Sequence, residues 1–264
     1  MLNLTSVELN TWIASFLWPL TRILGLLTVA PMFGNGAVPA RVKILLGILL
    51  AFIIAPTVPA LPAMDPMSLA GLLILTQQFI IGVGMGFAMR IVFAGVEMTG
   101  EVIGMTMGFG FATFFDPQSK GRSSAISQVL SLLTILIFLS INMHLLLLAT
   151  LAESFQSMPI TAAPIGGRVM QQLVAWGGRI FSAGVQLSLP IVAALLITSI
   201  ALGILTRAAP QLNLFGIGFS LTIGVGFIML AITMPYLATP IVNLFYEGIS
   251  EMQRFTTATL PAIP

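Results

Sequence analysis

The chain has 264 residues, of which 58% are hydrophobic and only 7% charged, with a formal net charge of +2 and a mean hydropathy of +1.08. Soluble domains carry about 25% charged residues, so this chain could not cover its own surface in water and reads as an integral membrane protein or the buried part of a membrane assembly. The small net charge and the lack of any Lys/Arg cluster exclude nucleic acid as a partner, and the absence of cysteine excludes disulfides, thiolate nucleophiles and Cys-ligated metals.

The N-terminus, M-L-N-L-T-S-V-E-L-N, lacks the basic region of a signal peptide. Glu8, Trp12 and Trp18 suit an interfacial anchor, and the segment is expected to be retained. Six apolar blocks follow, roughly Trp12–Ala30, Val42–Val58, Leu69–Phe93, Ile126–Leu151, Phe181–Thr206 and Leu212–Phe245. A span needs about 20 apolar residues, so each of the first five suits one helix. The sixth is long enough for a span plus an extension, with Pro235 and Pro240 as kinks. Leu, Ile, Met and Ala dominate without strand-like alternation, and the expected fold is an all-α membrane protein of about six hydrophobic segments.

Pro31, Gly34, Gly36 and Pro39 make a turn after the first block, and Pro56, Pro59, Pro62 and Pro66 a stiff link after the second. No proline lies between Leu69 and Phe115. At ~1.5 Å per residue a helix over that stretch far exceeds a bilayer. Either a very long helix leaves the membrane, or Gly82, Gly84, Gly86, Gly95, Gly100, Gly104 and Gly108 break it into a re-entrant path. Ser154–Arg179 reads as a long polar connection. If all six blocks cross, Arg41, Lys43, Arg90, Lys120, Arg122 and Arg207 fall on one side and Arg168, Arg179 and Arg254 on the other, which makes the first side cytoplasmic and both termini external.

Between Gly104 and Arg122 the chain reads G-M-T-M-G-F-G-F-A-T-F-F-D-P-Q-S-K-G-R. It is neither a good span nor a good water-facing loop. Met107, Gly108, Phe109, Gly110, Phe111, Phe114 and Phe115 combine bulk with conformational freedom, and Asp116-Pro117 sets an exit turn. The residues alone leave two readings open: an amphipathic interfacial loop with rings at headgroup depth, or a plug, since irregular backbone at membrane depth is tolerated only within protein or against a cavity.

Ionisable groups near membrane depth face a bundle interior or water. Arg22 lies inside the first block, Arg90 ends the third and Arg207 the fifth. Glu97 and Glu101 share one helix face and repel each other unless paired. These groups read as polar contacts between helices or subunits, with a polar pathway as the functional alternative. His144, in I-N-M-H-L, is the only histidine and reads as a packed side chain hydrogen-bonded near Asn142. With no H-E-x-x-H and no G-x-S-x-G, neither a metalloenzyme nor an intramembrane hydrolase is expected, nor any cofactor. The small-xxx-small spacing of Gly82/Gly86 and Gly100/Gly104/Gly108 predicts close helix packing.

Four stretches carry a resemblance to a known family: V-P-A-R-V-K at Val38–Lys43, F-A-T-F-F-D-P-Q at Phe111–Gln118, N-M-H-L at Asn142–Leu145 and R-A-A-P-Q-L-N-L-F-G-I-G-F at Arg207–Phe219. In order, spacing and length the chain resembles the FliR/SctT/YscT/SpaR family of type III secretion export-gate subunits across nearly its whole length, with wording that looks flagellar. The resemblance implies a non-enzymatic subunit of the flagellar basal body in the bacterial inner membrane. It implies a hetero-oligomeric helical assembly with FliP and FliQ, built from bent helical hairpins, with FlhB and FlhA nearby and unfolded flagellar polypeptides passing through. A FliP-like part over about 1–125 and a remainder over 126–264 that includes a FliQ-like part are implied within one subunit. The family's plug maps onto about Thr106–Arg122, and Arg207, Gln211 and Asn213 fall in the last motif as polar contacts between helices or subunits. The alternatives are an injectisome subunit of the same family, or a stand-alone transporter or channel built on faint internal similarity between Thr21-Arg22 and Thr206-Arg207.

Overall fold

A computed structural model describes residues 6–34, 36, 38–59, 65–109, 124–161, 166–208 and 214–257, at 6–10, 168 and 214–217 for the backbone alone. All regular structure among the described residues is helical: α1 (Ser6–Val29), α2 (Ala40–Ile54) with a 3-10 turn at Ala55–Thr57, α3 (Leu69–Met107), α4 (Ala125–Ser140), α5 (Met143–Ser157), α6 (Gly167–Gly177), α7 (Arg179–Ala208) and α8 (Leu214–Thr257). Five of these helices are long and apolar enough to cross a membrane, or six spans if the bent pair α4–α5 counts as one. The chain is an all-α membrane protein.

Two expectations about single elements change. The block Ile126–Leu151 is two helices, because Asn142 takes a left-handed conformation with φ 56° and ends the run. Asn tolerates that region through local hydrogen bonding, a cue that hydropathy does not register. Ser154–Arg179 is not simply a connection, since it contains the end of α5 and the whole of α6. Between the two readings of Leu69–Phe115, the long helix holds: α3 runs unbroken for 39 residues, about 58 Å at ~1.5 Å per residue. Pro235 and Pro240 both lie inside the single helix α8.

The chain divides into two compact units, each discontinuous in sequence: Met1–Ile91, Asn142–Gly177 and Phe245–Pro264 form one, Val92–Ile141 and Gly178–Leu244 the other. In the first unit α1 lies directly on α3. A Cβ at Gly82 would overlap the Arg22 carbonyl, one at Gly86 would sit 2.9 Å from the Leu26 oxygen, and one at Gly25 would sit 2.5 Å from the Phe79 oxygen. The glycine spacing read from the sequence is thus a backbone-to-backbone seam. Each mid-helix glycine costs roughly 0.5–1 kcal/mol against alanine, offset here by packing that no side chain would permit. Trp18, Leu26, Ile81, Met85, Phe155 and Phe245 are wholly buried around the seam. Trp18 is therefore a core residue and not an interfacial anchor, whereas Trp12 is 68% exposed. The Trp176 indole N–H donates to the Ala88 carbonyl at 2.9 Å and pins α6 to α3. His144 is half-buried, and its Nδ1 has no hydrogen-bond partner among the described residues, contrary to expectation.

In the second unit the last part of α3 packs on α4 and on the long helices α7 and α8. Phe93 and Phe138 meet edge to face with ring centroids 5.6 Å apart. Gly184 faces the Met98 side chain and Gly95 the Ala183 Cβ, and a Cβ at Gly226 would fall 2.6 Å from Met107. Only 11% of the most apolar 18 residues within Val169–Ala208, and 17% of those within Gly218–Thr257, are buried within the chain. Leu189, Leu196, Ile197, Ile200, Ile228 and Ile232 stand open to the surroundings.

Candidate functional site at the ends of the Phe/Gly segment

Gly110, Phe111, Phe114, Phe115, Asp116 and Pro117 lie outside the described residues, as do Gln211 and Asn213. The structure does define where the chain enters that segment and where it returns, and both points lie against the C-terminal part of α3 within the second unit.

The entry is at Met107–Phe109. Gly108 adopts φ +98°, a conformation that L side chains rarely hold, and the Phe219 ring lies 2.7 Å from where a Cβ would stand. Glycine is required there on both counts. The Met107 carbonyl, one of those left over at the helix end, accepts from the Thr222 hydroxyl at 3.3 Å. Phe109 meets Phe227 of α8 edge to face at 6.4 Å. Beside this entry, Met105–Gly108, Ser199, Leu202, Gly203, Thr206, Gly218, Phe219 and Thr222 line an open cleft of about 350 Å³. Of its hydroxyls, Ser199 and Thr206 turn back onto their own helices, to Leu195 O and Gly203 O, and the lining is mostly apolar.

The return is at Ser124, the N-cap of α4, whose hydroxyl accepts from Ser127 N at 3.1 Å and donates to Gly100 O at 3.2 Å. Its backbone N–H donates to the Glu101 carboxylate at 2.8 Å, and the Ser127 hydroxyl donates to Glu97 O at 2.9 Å. A Cβ at Gly100 would overlap Ser127, and one at Gly104 would stand 3.1 Å from Ser124 Cβ. One face of α3, formed by Glu97, Gly100, Glu101 and Gly104, therefore seats the first turn of α4. The entry at Gly108 is one helical turn beyond Gly104, about 6 Å at ~1.5 Å per residue.

The other proposed polar residues separate. Arg90 is exposed on α3 in the first unit, and Arg207 is exposed in the last turn of α7, where a cation complements the carbonyl end of the helix. Sequence reasoning missed Thr222, Phe227 and Ser124, which carry no motif of their own, and gave no role to Phe219, which ends the Arg207–Phe219 motif. It noted Arg22 without finding its role. That guanidinium is fully buried in the first unit, donating to Gln78 Oε1, Ser154 O and Oγ, and Met158 O, with the Phe155 ring 4.3 Å from its centre. It caps the carbonyl end of α5, where positive charge is favoured.

An all-helical apolar chain with most of its long helices uncovered is a component of a membrane assembly or a lipid-facing protein. Comparison makes this specific: the model of bacterial export proteins, family 1, matches residues 13–248, and the chain belongs to that family. It is 41% identical over 94% of both chains to the flagellar biosynthetic protein FliR of Pectobacterium carotovorum, and 39% identical to FliR of Escherichia coli K12 over 96% of this chain and 99% of that one. FliR of Bacillus subtilis 168 is 32% identical over 90% of this chain and 93% of its own.

Proposed function

We propose that this chain is a subunit of the flagellar type III protein export gate in the bacterial inner membrane, working as part of a conduit and not as a catalyst. It assembles with FliP and FliQ subunits, lies near FlhB and FlhA in the basal body, and lets unfolded flagellar polypeptides pass. Membership of the export family over residues 13–248 carries this reading. Relatives named as flagellar biosynthetic proteins at 39–41% identity favour the flagellar over the injectisome branch. The uncovered apolar faces of α7 and α8 supply what partner helices or lipid would bury.

Within that assembly the segment from Met107 to Pro117 is the plug. A conduit wide enough for an unfolded chain leaks ions unless something excludes water, and a hydrophobic constriction does so by dewetting. Phe109, Phe111, Phe114 and Phe115 provide the rings, and Gly108 and Gly110 the freedom to move aside. Deleting Gly110–Phe115 is expected to leave the complex assembled while raising ion leakage across the membrane. Unchanged conductance in an assembled deletion complex would overturn the plug. Failure to co-purify with FliP and FliQ subunits would overturn the assembly.

A further inference from the structure

Trp18, Arg22 and Gln78 form a wholly buried polar node in the first unit. The glycine seam places them together. Gly82 fits between Arg22 and Leu26, and Gly86 between Leu26 and Ala30, so α1 and α3 lie side by side in the same direction. One turn earlier on α3, the same register puts Gln78 at the level between Trp18 and Arg22, which share one face of α1. The bond from Arg22 Nε to Gln78 Oε1 agrees with that placement.

Donors outnumber acceptors at this node. The guanidinium uses Gln78 Oε1, Ser154 O and Oγ, and Met158 O, all of them neutral oxygens. These acceptors have other commitments: Ser154 O also takes the Met158 N–H, and Ser154 Oγ donates onward to Leu151 O. Gln78 Nε2 and Trp18 Nε1 remain buried with no partner among the described residues. The amide cannot be turned to relieve this, since its nitrogen would then face a guanidinium N–H. No Asp or Glu is buried among the described residues, and Arg22 is the one ionised side chain that is. The carbonyl end of α5 and the Phe155 ring offset part of its charge, but neither accepts from the Trp18 or Gln78 nitrogens. A buried cation without a full counter-charge is costly, and so is each stranded N–H.

The excess is of one chemical kind: N–H groups and positive charge. A water molecule brings two protons with its two lone pairs, so it links donors and leaves their excess unchanged. An anion brings acceptor capacity alone and cancels the charge as well. A monatomic anion is the smallest group that does both, which suits a node closed on all sides by packed side chains.

We propose that this node binds one small monovalent anion, chloride in the cell, through Trp18 Nε1–H and Gln78 Nε2–H beside the Arg22 guanidinium. The ion completes the junction of α1, α3 and the end of α5, and it makes the stability of the first unit depend on halide. The site stands apart from the export reading and from the segment that follows Met107.

The test follows thermal unfolding of the full chain in its purified complex, with gluconate replacing chloride at constant ionic strength. The midpoint is expected to rise with chloride and to saturate, as a ligand of the folded state requires, and bromide is expected to substitute. Gln78→Glu puts a carboxylate beside Arg22 in a side chain of nearly the same shape. That variant is expected to assemble and to lose the halide dependence, because the chain then carries its own anion. Trp18→Phe keeps an aromatic ring and removes the N–H. It is expected to raise the chloride concentration for half the effect about tenfold, as loss of one hydrogen bond to a charged group implies. A wild-type midpoint indifferent to halide would overturn the site. Equal halide dependence in the wild type and both variants would place the ion elsewhere in the complex and overturn it too. Should Gln78→Glu fail to assemble, an unchanged half-effect concentration in Trp18→Phe overturns the site by itself.

Discussion

Arg22 Nε donates to Gln78 Oε1 at 2.8 Å across the α1–α3 seam, and this bond fixes the orientation of the amide. With its oxygen committed to Arg22, the amide turns Nε2 into a buried position where it has no partner among the described residues, and the Trp18 indole N–H, one turn away on α1, likewise has none among them. The remaining guanidinium protons go to the end of α5, at Ser154 and Met158. One side chain inside an apolar helix thus ties three elements together.

Replacing Arg22 with Ala is expected to strand Gln78 Oε1 and Met158 O without donors, whereas Ser154 O still accepts from Met158 N–H. At about 1–3 kcal/mol for each buried group left unsatisfied, the loss should be at least about 2 kcal/mol. Thermal unfolding of the detergent-solubilised complex, or its steady-state level in membranes, checks this. Arg22→Lys is expected to rescue poorly, because a point-charge ammonium cannot span acceptors that the planar fork reaches together.

Gly82→Ala is expected to separate α1 from α3 and lower the unfolding temperature sharply, since the added Cβ overlaps backbone that cannot rotate away. Gly203→Ala in α7 has nothing within 4 Å and should be neutral or stabilising by about 0.5–1 kcal/mol. Equal effects at the two positions would refute the backbone seam.

Phe109→Ala removes the edge-to-face contact with Phe227. Such pairs contribute about 0.5–1.5 kcal/mol beyond burial, so the change should weaken the Gly108 end and raise ion leakage modestly without preventing assembly. Phe227→Ala should have a similar effect, and the double variant less than the sum of the two, measured as conductance in reconstituted vesicles.

Cysteines placed singly at Gly36 and Gly166, both with open space around them, should react with a membrane-impermeant thiol reagent from opposite sides of the membrane. Gly36 adjoins Arg41 and Lys43 and is expected on the cytoplasmic side, Gly166 adjoins Arg168 and is expected outside. Labelling of both from one side would mean that an even number of the three candidate spans between them, α2, α3 and α4–α5, crosses.

Much of the fold was legible because its signals are local. Uninterrupted apolar runs and their punctuation located α1, α2, α3, α7 and α8, and the spacing of Gly82 and Gly86 foretold a close helix contact. The break at Asn142 escaped because a single left-handed residue leaves hydropathy unchanged, and α6 escaped because its composition is that of a polar link. Of the ends of the Phe/Gly segment, the glycine at 108 was singled out in the sequence and the N-cap Ser124 was not. Their partners were not: Glu101 stands 23 residues from Ser124 and Thr222 115 residues from Met107.

Composition alone determined that this is a membrane protein with no metal or thiol chemistry to expect from cysteine, and four short motifs carried the resemblance to its family. Those properties depend on which residues are present and in what order. The tertiary structure decided which polar groups satisfy one another. Arg22 could have faced a pathway, a partner or the core; only packing, which brought Ser154 132 residues along the chain to its guanidinium, made it a structural cap. Glu101 could have paired with an arginine; only the touching backbones at Gly100 and Gly104 brought the first turn of α4 within its reach. A buried polar atom must find its partner wherever folding delivers one, and that place is set by the sum of distant contacts, which no local pattern records.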